Sequence, residues 1–496
     1  MKSPGRRADA RRRLRRAGLC AAAAAVLALC LGADLLSRLA PNNGGAGGKV
    51  PPGAAAALSW SGELDAEYLD FYGVGFFQPS LPVIFVDTEG RQIEKENRVW
   101  ASVGILNPDG SSKTILDGPE TVLSATIKMR GASSYTGFEK KQYRLKFYRR
   151  QGSGKELDYG LLGMAEDSEW VLNGPYLDKT LMRNRLAYQT AREIFQWAPD
   201  TRYCELILNG RYMGVYLAVE PVTEGPGRLA LSEYSLLSGE TAYLVKRDRI
   251  GTEGLPLETY GSLNVKTLNH LYVDYPSEKR ITDAQRDWIQ RDLSQLELCL
   301  YGGVGGRPSP SYAQYIDVDN FVDYFIFNEF TMNHDAGNLS TYVYKNLPGK
   351  MKLAVWDYNN CFDNFQSFSV STKDWLTPSN SWFDQLVKDR DFVDRVQKRY
   401  RELRRGPLDE EHLYEQLQQF QAELGEAVDR NYAVWDCAFY DSFTNVPARE
   451  IHSYQDAVAQ LKSCIHDRLE FMDAHLTDLY RFCREDESAI GTEGTK

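Results

Sequence analysis

Asn328-Glu-Phe-Thr-Met-Asn-His-Asp-Ala-Gly-Asn-Leu-Ser-Thr-Tyr-Val-Tyr-Lys345 is followed, five residues later, by Met351-Lys-Leu-Ala-Val-Trp-Asp-Tyr-Asn-Asn-Cys-Phe-Asp-Asn364. The first segment reads as the end of an apolar helix, a dense polar cluster, then a strand around Tyr342-Val-Tyr344. Upstream, Phe321, Tyr324, Phe325, Phe327 and Phe330 carry the helix, and Asp319 is placed to cap it. The second segment reads as a short buried strand that delivers Asp357, with Asn359, Asn360, Asp363 and Asn364 behind it. A hairpin between the segments lets the two clusters meet. Asp335 suits a base or orienting group, and Asn338 beside it suits a hard cation. Oxygen-rich side chains after a strand make a Mg²⁺ or Mn²⁺ site when phosphates complete the shell. The same residue types also cap helices and make turns, so either cluster alone decides little.

Working outward, Lys128-Met-Arg-Gly-Ala-Ser-Ser-Tyr-Thr-Gly-Phe-Glu-Lys-Lys-Gln-Tyr-Arg-Leu-Lys-Phe147 reads as strand, small-residue loop, strand, with basic residues on both sides. Small residues let backbone N–H groups approach phosphate oxygens, and a strand lysine can neutralise them. Further strands are expected at Leu81–Val86, Val99–Leu106, Val122–Met129 and Tyr143–Tyr148 from apolar runs and alternation. Glu205–Leu208 and Tyr212–Val219 flank Asn209-Gly210, a dipeptide suited to a tight hairpin. A helix is expected over Asp178–Phe195. Later stripes at Phe392, Val396, Tyr400, Leu403 and at Val458, Leu461, Ile465, Leu469, Met472, Leu476 have helical spacing and read as core. The result is an α+β, bilobal chain with a strand-rich N-terminal half and a helix-rich C-terminal half.

The 496 residues, 43% hydrophobic and 25% charged, suit a large globular enzyme. Net charge is −10, although Lys2, Arg6, Arg7, Arg11, Arg12, Arg13, Arg15 and Arg16 crowd the N-terminus. The remainder is therefore strongly acidic, which argues against a nucleic-acid partner. An uncharged run over 17–33 follows the arginines, and 17–36 is expected to be one membrane segment, an uncleaved anchor in preference to a cleaved signal. The positive-inside rule then leaves 1–16 cytoplasmic and the body extracytoplasmic, or secreted if the segment is cleaved. Residues 37–58 read as a Gly/Pro/Ala linker, 59–484 as the folded domain and 485–496 as a disordered tail. Six cysteines beyond the apolar segment permit disulfides, and neither they nor the six histidines have zinc-ligand spacing. Gly152-Ser-Gly-Lys155 and Gly73-Val-Gly75 fail as phosphate-loop and dinucleotide fingerprints.

Taken together, Arg130-Gly131-Ala-Ser-Ser134, Lys140-Lys141-Gln-Tyr-Arg-Leu-Lys-Phe147, Asn328-Glu329 through Asp335 and Asn338, and Trp356-Asp357 resemble the spore-coat protein H (CotH) kinase family. Met182-Arg-Asn184, Tyr212-Met-Gly-Val-Tyr216 and Tyr243-Leu-Val-Lys246 are smaller matches in the same order, over roughly 80–365, with a family-like helical part over 366–484. The resemblance implies an atypical, bilobal protein-kinase-like fold that uses ATP and Mg²⁺ or Mn²⁺ to phosphorylate serine or threonine of a protein substrate. Carried over by position, Asp335 and Lys146 are the catalytic residues. Arg130, Ser133, Ser134, Lys141 and Lys146 hold the nucleotide, and Asp357, Asn338, Asn359 and Asp363 hold the metal. The chain departs from the family at Asn359, where an aspartate is common. A surface binding protein or adhesin on a catalytically weak scaffold is the alternative, because fold does not fix function.

Overall fold

The computed structural model describes residues 60–108, 113–252, 254–265 and 269–484. Seven strands come first: β1 (Val83–Asp87), β2 (Val99–Leu106), β3 (Thr121–Arg130), β4 (Gln142–Tyr148), β5 (Glu169–Asn173), β6 (Thr201–Leu208) and β7 (Arg211–Val219). They close into a barrel in the order β1-β2-β3-β4-β5-β7-β6. Closure comes from the parallel pairing of β1 with β6, where Ile84 lies beside Leu206; the other neighbours run antiparallel. Alternation decides which side chains fill the interior. On β3 and β4, Ala125, Ile127, Leu145 and Phe147 enter a core shared with Ile84, Val103, Trp170, Leu206 and Ala218. The intervening Lys128, Arg130, Gln142, Arg144 and Lys146 share the outer face, with Lys128 opposite Arg144 and Arg130 opposite Gln142. At the β6–β7 turn Asn209 and Gly210 both take positive φ, 48° and 77°, as the sequence requires.

A second sheet has the order β12-β11-β8-β10-β9, from β8 (Tyr243–Asp248), β9 (Leu255–Leu257), β10 (His270–Tyr275), β11 (Thr341–Lys345) and β12 (Lys352–Ala354). All its pairings are antiparallel. The hairpin expected between the two polar clusters is β11–β12, with Val343 opposite Leu353. Among the described residues the helices of nine or more residues are α1 (Arg183–Ile194), α2 (Asp283–Tyr301), α3 (Val318–Thr331), α4 (Arg390–Leu403), α5 (Glu410–Leu424), α6 (Ala427–Trp435) and α7 (Tyr454–His475). Apolar nearly all round, α3 is a buried central helix: Phe321, Val322, Phe325, Ile326, Phe327 and Phe330 lie in one core with Phe392 and Val396 of α4 and Leu461 and Ile465 of α7.

Several expectations are corrected. The α+β character holds, with the strand-rich front half closed into a barrel and helices dominating the C-terminal half. The membrane segment expected at 17–36, with the membrane partner, single-pass topology and extracytoplasmic body that depend on it, has no counterpart among the described residues. No helix among the described residues is long and apolar enough to cross a membrane, and 17–36 lies outside them, as do 1–16, 37–58 and 485–496. Helix α1 starts at Arg183 rather than Asp178, because the Asp178 carboxylate accepts the N–H groups of Thr180 and Arg183 at 2.9 and 2.7 Å and folds 178–182 into a turn. The cap of α3 is Asp317, whose carboxylate accepts from Asn320 N at 3.2 Å, two residues before Asp319. The cysteines at 204, 299, 361, 464 and 483 form no disulfide among the described residues.

Candidate active site

The end of α3 creates the first polar cluster. Met332 takes a left-handed conformation (φ 54°, ψ 39°) that stops the helix and turns the chain into 333–340. That loop is tied at many points: Asn333 Oδ1 accepts Asp335 N at 3.2 Å, Asp335 O accepts Leu339 N at 2.8 Å, and Asn380 Nδ2 donates to Ala336 O at 2.9 Å. Beneath it, Arg247 of β8 donates to Gly337 O, stacks on Trp382 at 4.2 Å and pairs with buried Glu297.

The second cluster follows β12 and is braced by α1. Asp357 has φ +67°, costly for a non-glycine residue. Tyr188 of α1 holds it, its hydroxyl accepting Asp357 N at 3.0 Å. Asn184 Oδ1 accepts Tyr358 N at 2.9 Å, and the Arg183 guanidinium donates to Cys361 O at 3.1 Å. The Met182-Arg-Asn184 segment therefore acts from beneath, fixing the loop that carries Asp357.

These loops and the outer face of β3–β4 enclose a cleft of about 880 Å³, within the ~300–1,000 Å³ range of small-molecule sites. Its cationic lining includes Lys128, Arg130, Arg144, Lys246 and Arg249; its carboxylates include Asp248, Asp274, Asp335 and Asp357. Arg130 is fixed by donation to Gln142 Oε1 at 2.7 Å and by stacking on Trp356 at 5.3 Å. Gly131 takes φ +96°, and any Cβ there would collide with Ser134 Oγ, so glycine brings the Ser133–Gly137 turn against the cleft. Burial pushes the Asp335 carboxyl above the usual range, with the Asp357 charge adding to it against Arg249, His334 and Asn360. Burial also raises Asp357, opposed by Arg130 and a hydrogen bond from Ser340. Asn360, three residues after Asp357, is 6% exposed. Its Nδ2 donates to Asp335 Oδ2 at 2.9 Å, while its Oδ1 has no hydrogen-bond partner among the described residues.

Of the residues singled out from the sequence, Arg130, Ser133, Ser134, Asp335, Asp357 and Asn359 line this cleft. Asn338 lines a smaller neighbouring cavity. Lys146 shares the face of Arg144 but pairs with Glu156 at 2.6 Å and Glu169 at 3.8 Å, away from the cleft lining. Lys141 donates to Tyr135 O and Phe138 O at 2.6 and 2.7 Å and pins the serine turn. Asp363 accepts from Ser369 Oγ, Val370 N and Arg449, organising its own turn. Arg144, Arg249, Asp248 and Asp274 were not singled out. Arg144 was legible, lying two residues from Lys146 on the same face of a strand.

Among the described residues no group of three or more His, Cys, Asp or Glu stands together as a metal site. The residues present nonetheless fit a hard cation that keeps phosphate ligands: two carboxylates and an orphaned, buried amide oxygen.

The model of the CotH kinase protein family matches residues 127–472, well over half of the chain. This chain belongs to the CotH kinase family. Inner spore coat protein H of Bacillus subtilis (strain 168) is 24% identical over 242 residues, which span 48% of this chain and 58% of that protein. The CotH match begins on β3 and ends within α7, so it takes in the cationic wall, both polar loops and the helices that brace them.

Proposed function

We propose that this CotH kinase cleft binds ATP with Mg²⁺ or Mn²⁺ and transfers the γ-phosphoryl group to a serine or threonine hydroxyl of a protein. The observation that carries the reading is the opposition, across one cleft, of fixed cations on β3–β4 and the second sheet to Asp335, Asp357 and the unpartnered Asn360 Oδ1. Phosphoryl transfer demands positioning and charge stabilisation above all. Arg130 and Arg144 hold phosphate oxygens, with Lys246 and Arg249 on the facing wall; in this proposal Arg130 takes the phosphate contact that the family resemblance gives to Lys146. Ser133 and Ser134 approach from the turn after Gly131. Asp357, with Asn360 and Asn359, would hold the cation, which supplies charge neutralisation at the phosphates. Asp335 receives the acceptor proton, a role favoured by a raised carboxyl. The acceptor oxygen bonds to the γ-phosphorus, the bond from that phosphorus to the bridging oxygen breaks, and its electron pair leaves on ADP.

The test is Mg²⁺- or Mn²⁺-dependent transfer from ATP to a serine acceptor, wild type against Asp357→Asn. Removing one preorganised charge should lower transfer by at least ~100-fold, about 2.7 kcal/mol. An identical metal response in both proteins would defeat the role of Asp357. No metal–nucleotide response in wild type would leave a binding protein on this scaffold.

A further inference from the structure

A second cavity, of about 430 Å³, is lined by Asn269, His334, Asp335, Asn338, Leu339, Ser379, Ser381 and Asp384. Asp335 and Leu339 line the larger cleft as well. A carboxylate shared by two cavities is where a proton acceptor must stand if donor and acceptor approach from different sides. We propose that the smaller cavity is the acceptor entrance, where a neutral polypeptide segment presents its hydroxyl to Asp335 and an acidic segment is turned away. This rests on the phosphotransfer reading of the larger cleft.

The lining contains two carboxylates and no lysine or arginine. Asp384 is held by Tyr301 OH at 3.1 Å and Gln385 Nε2 at 2.8 Å, and the cation that acts on it, Lys388, stands outside the lining. Like charge brought into such a site is repelled, which selects by exclusion. The cavity is also furnished for a peptide. Asn338 is fixed through its backbone, its carbonyl accepting Asn269 Nδ2 at 3.0 Å, and its side-chain amide makes no hydrogen bond among the described residues. That amide can pair with a peptide backbone. Beside it, exposed His334 sits against the rings of Phe365 and Phe368 at 5.3 and 5.5 Å. Phe368 is itself 41% exposed, so the three rings form a platform next to Asp335. Ser379, also in the lining, is exposed at the end of the Thr377–Ser379 turn, so a larger side chain there need not enter the core.

The experiment uses full-length protein, ATP with Mg²⁺, and two synthetic peptides: a serine flanked by Gly and Ala, and its twin flanked by glutamates. Initial rates and ATP affinity are measured for wild type, Ser379→Trp and Asp384→Asn. Ser379→Trp should raise the KM for the neutral peptide at least ~10-fold while ATP affinity is kept, because only the acceptor side is filled. In wild type the glutamate twin should have a KM about tenfold higher, and Asp384→Asn should narrow that gap. Wild-type peptide KM in Ser379→Trp would overturn the assignment, and equal KM for the two peptides would overturn the charge selection. Wild type that transfers to neither peptide removes the phosphotransfer reading, and this inference with it.

Discussion

Arg468→Met tests whether the candidate loop depends on a buried ion pair some distance from the chemistry. Arg468 of α7 and Glu329 of α3 are both 0% exposed. Arg468 Nε donates to Glu329 O at 2.8 Å, and its Nη1 donates to Thr372 O and Asp374 O at 2.9 and 2.6 Å. The Glu329 carboxylate also accepts Leu376 N at 3.1 Å and Thr377 N. One guanidinium thus joins α7, the end of α3 just before the Asp335 loop, and the 372–377 segment beside the acceptor cavity. Methionine keeps much of the volume but leaves a buried carboxylate without its counter-charge and three carbonyls without this donor. Breaking a buried pair at one partner costs about 3–5 kcal/mol, a large part of a typical stability of ~5–15 kcal/mol.

The pH dependence of that loss has a definite sign. Burial already raises the Glu329 carboxyl, with Arg468 and hydrogen bonds from Thr377 and Leu376 opposing it, so removing Arg468 raises it further. A carboxyl raised in the folded state carries its penalty above the unfolded value of about 4.3 and sheds it as pH falls. The deficit of Arg468→Met should therefore be largest at pH 7 and shrink toward pH 5. Adding Glu329→Gln should recover part of it at pH 7, since the uncompensated charge is gone. Urea unfolding of wild type, single and double variants at both pH values is the assay. A deficit under ~1 kcal/mol, or one that grows on acidification, would refute the reasoning.

Two further outcomes follow from the same geometry. Arg130→Met should lower ATP affinity at least ~10-fold, the scale of one charge-assisted phosphate contact, whereas Lys146→Ala, already paired with Glu156 and Glu169, should leave it within about twofold; isothermal titration with both variants checks the order. Burial pulls Lys179 down to about 7 while its ammonium donates to Leu177 O and Thr444 O at 3.1 and 2.8 Å. A lysine depressed on folding makes the unfolded state bind more protons between about 7 and 10.4, so stability should rise with pH there, and Lys179→Met should flatten that rise in melting temperature from pH 7 to 9.

How far the sequence carried these assignments depends on the range over which each contact acts. Strands β3 and β4 were legible because alternation is local, and the Asn209-Gly210 hairpin because its backbone demand is met by two adjacent residues. Barrel closure was not, since β1 meets β6 across more than a hundred residues of chain, and no local pattern distinguishes a closing pair from an open edge. Asp335 and Asp357 could be brought together on paper because one hairpin joins their loops. Asp363 could not be separated from them, because the arginine that claims it, Arg449, arrives 86 residues later. Lys146 illustrates the same limit on the cationic wall. Period two placed it on the face of Arg130 and Arg144, but Glu156 claims Lys146, and Glu169, which meets both Arg144 and Lys146, comes from β5, a strand absent from the sequence reading.

The division of labour in the site follows from those ranges. A barrel strand sets by register the face from which Arg130 and Arg144 project, and Gln142 and Trp356 then hold Arg130 while Glu169 holds Arg144. Carboxylates that must crowd one another cannot be fixed that way, because their mutual repulsion favours separation. Here the repulsion is opposed by groups that hold backbone rather than charge: Tyr188 and Asn184 on the Asp357 loop, Asn380 and Arg247 on the Asp335 loop. Asn360 joins the two loops, spending its amide N–H on Asp335 while its buried oxygen has no hydrogen-bond partner among the described residues. On the proposed function, a cation and a triphosphate would relieve the crowding of Asp335 and Asp357 that the scaffold enforces.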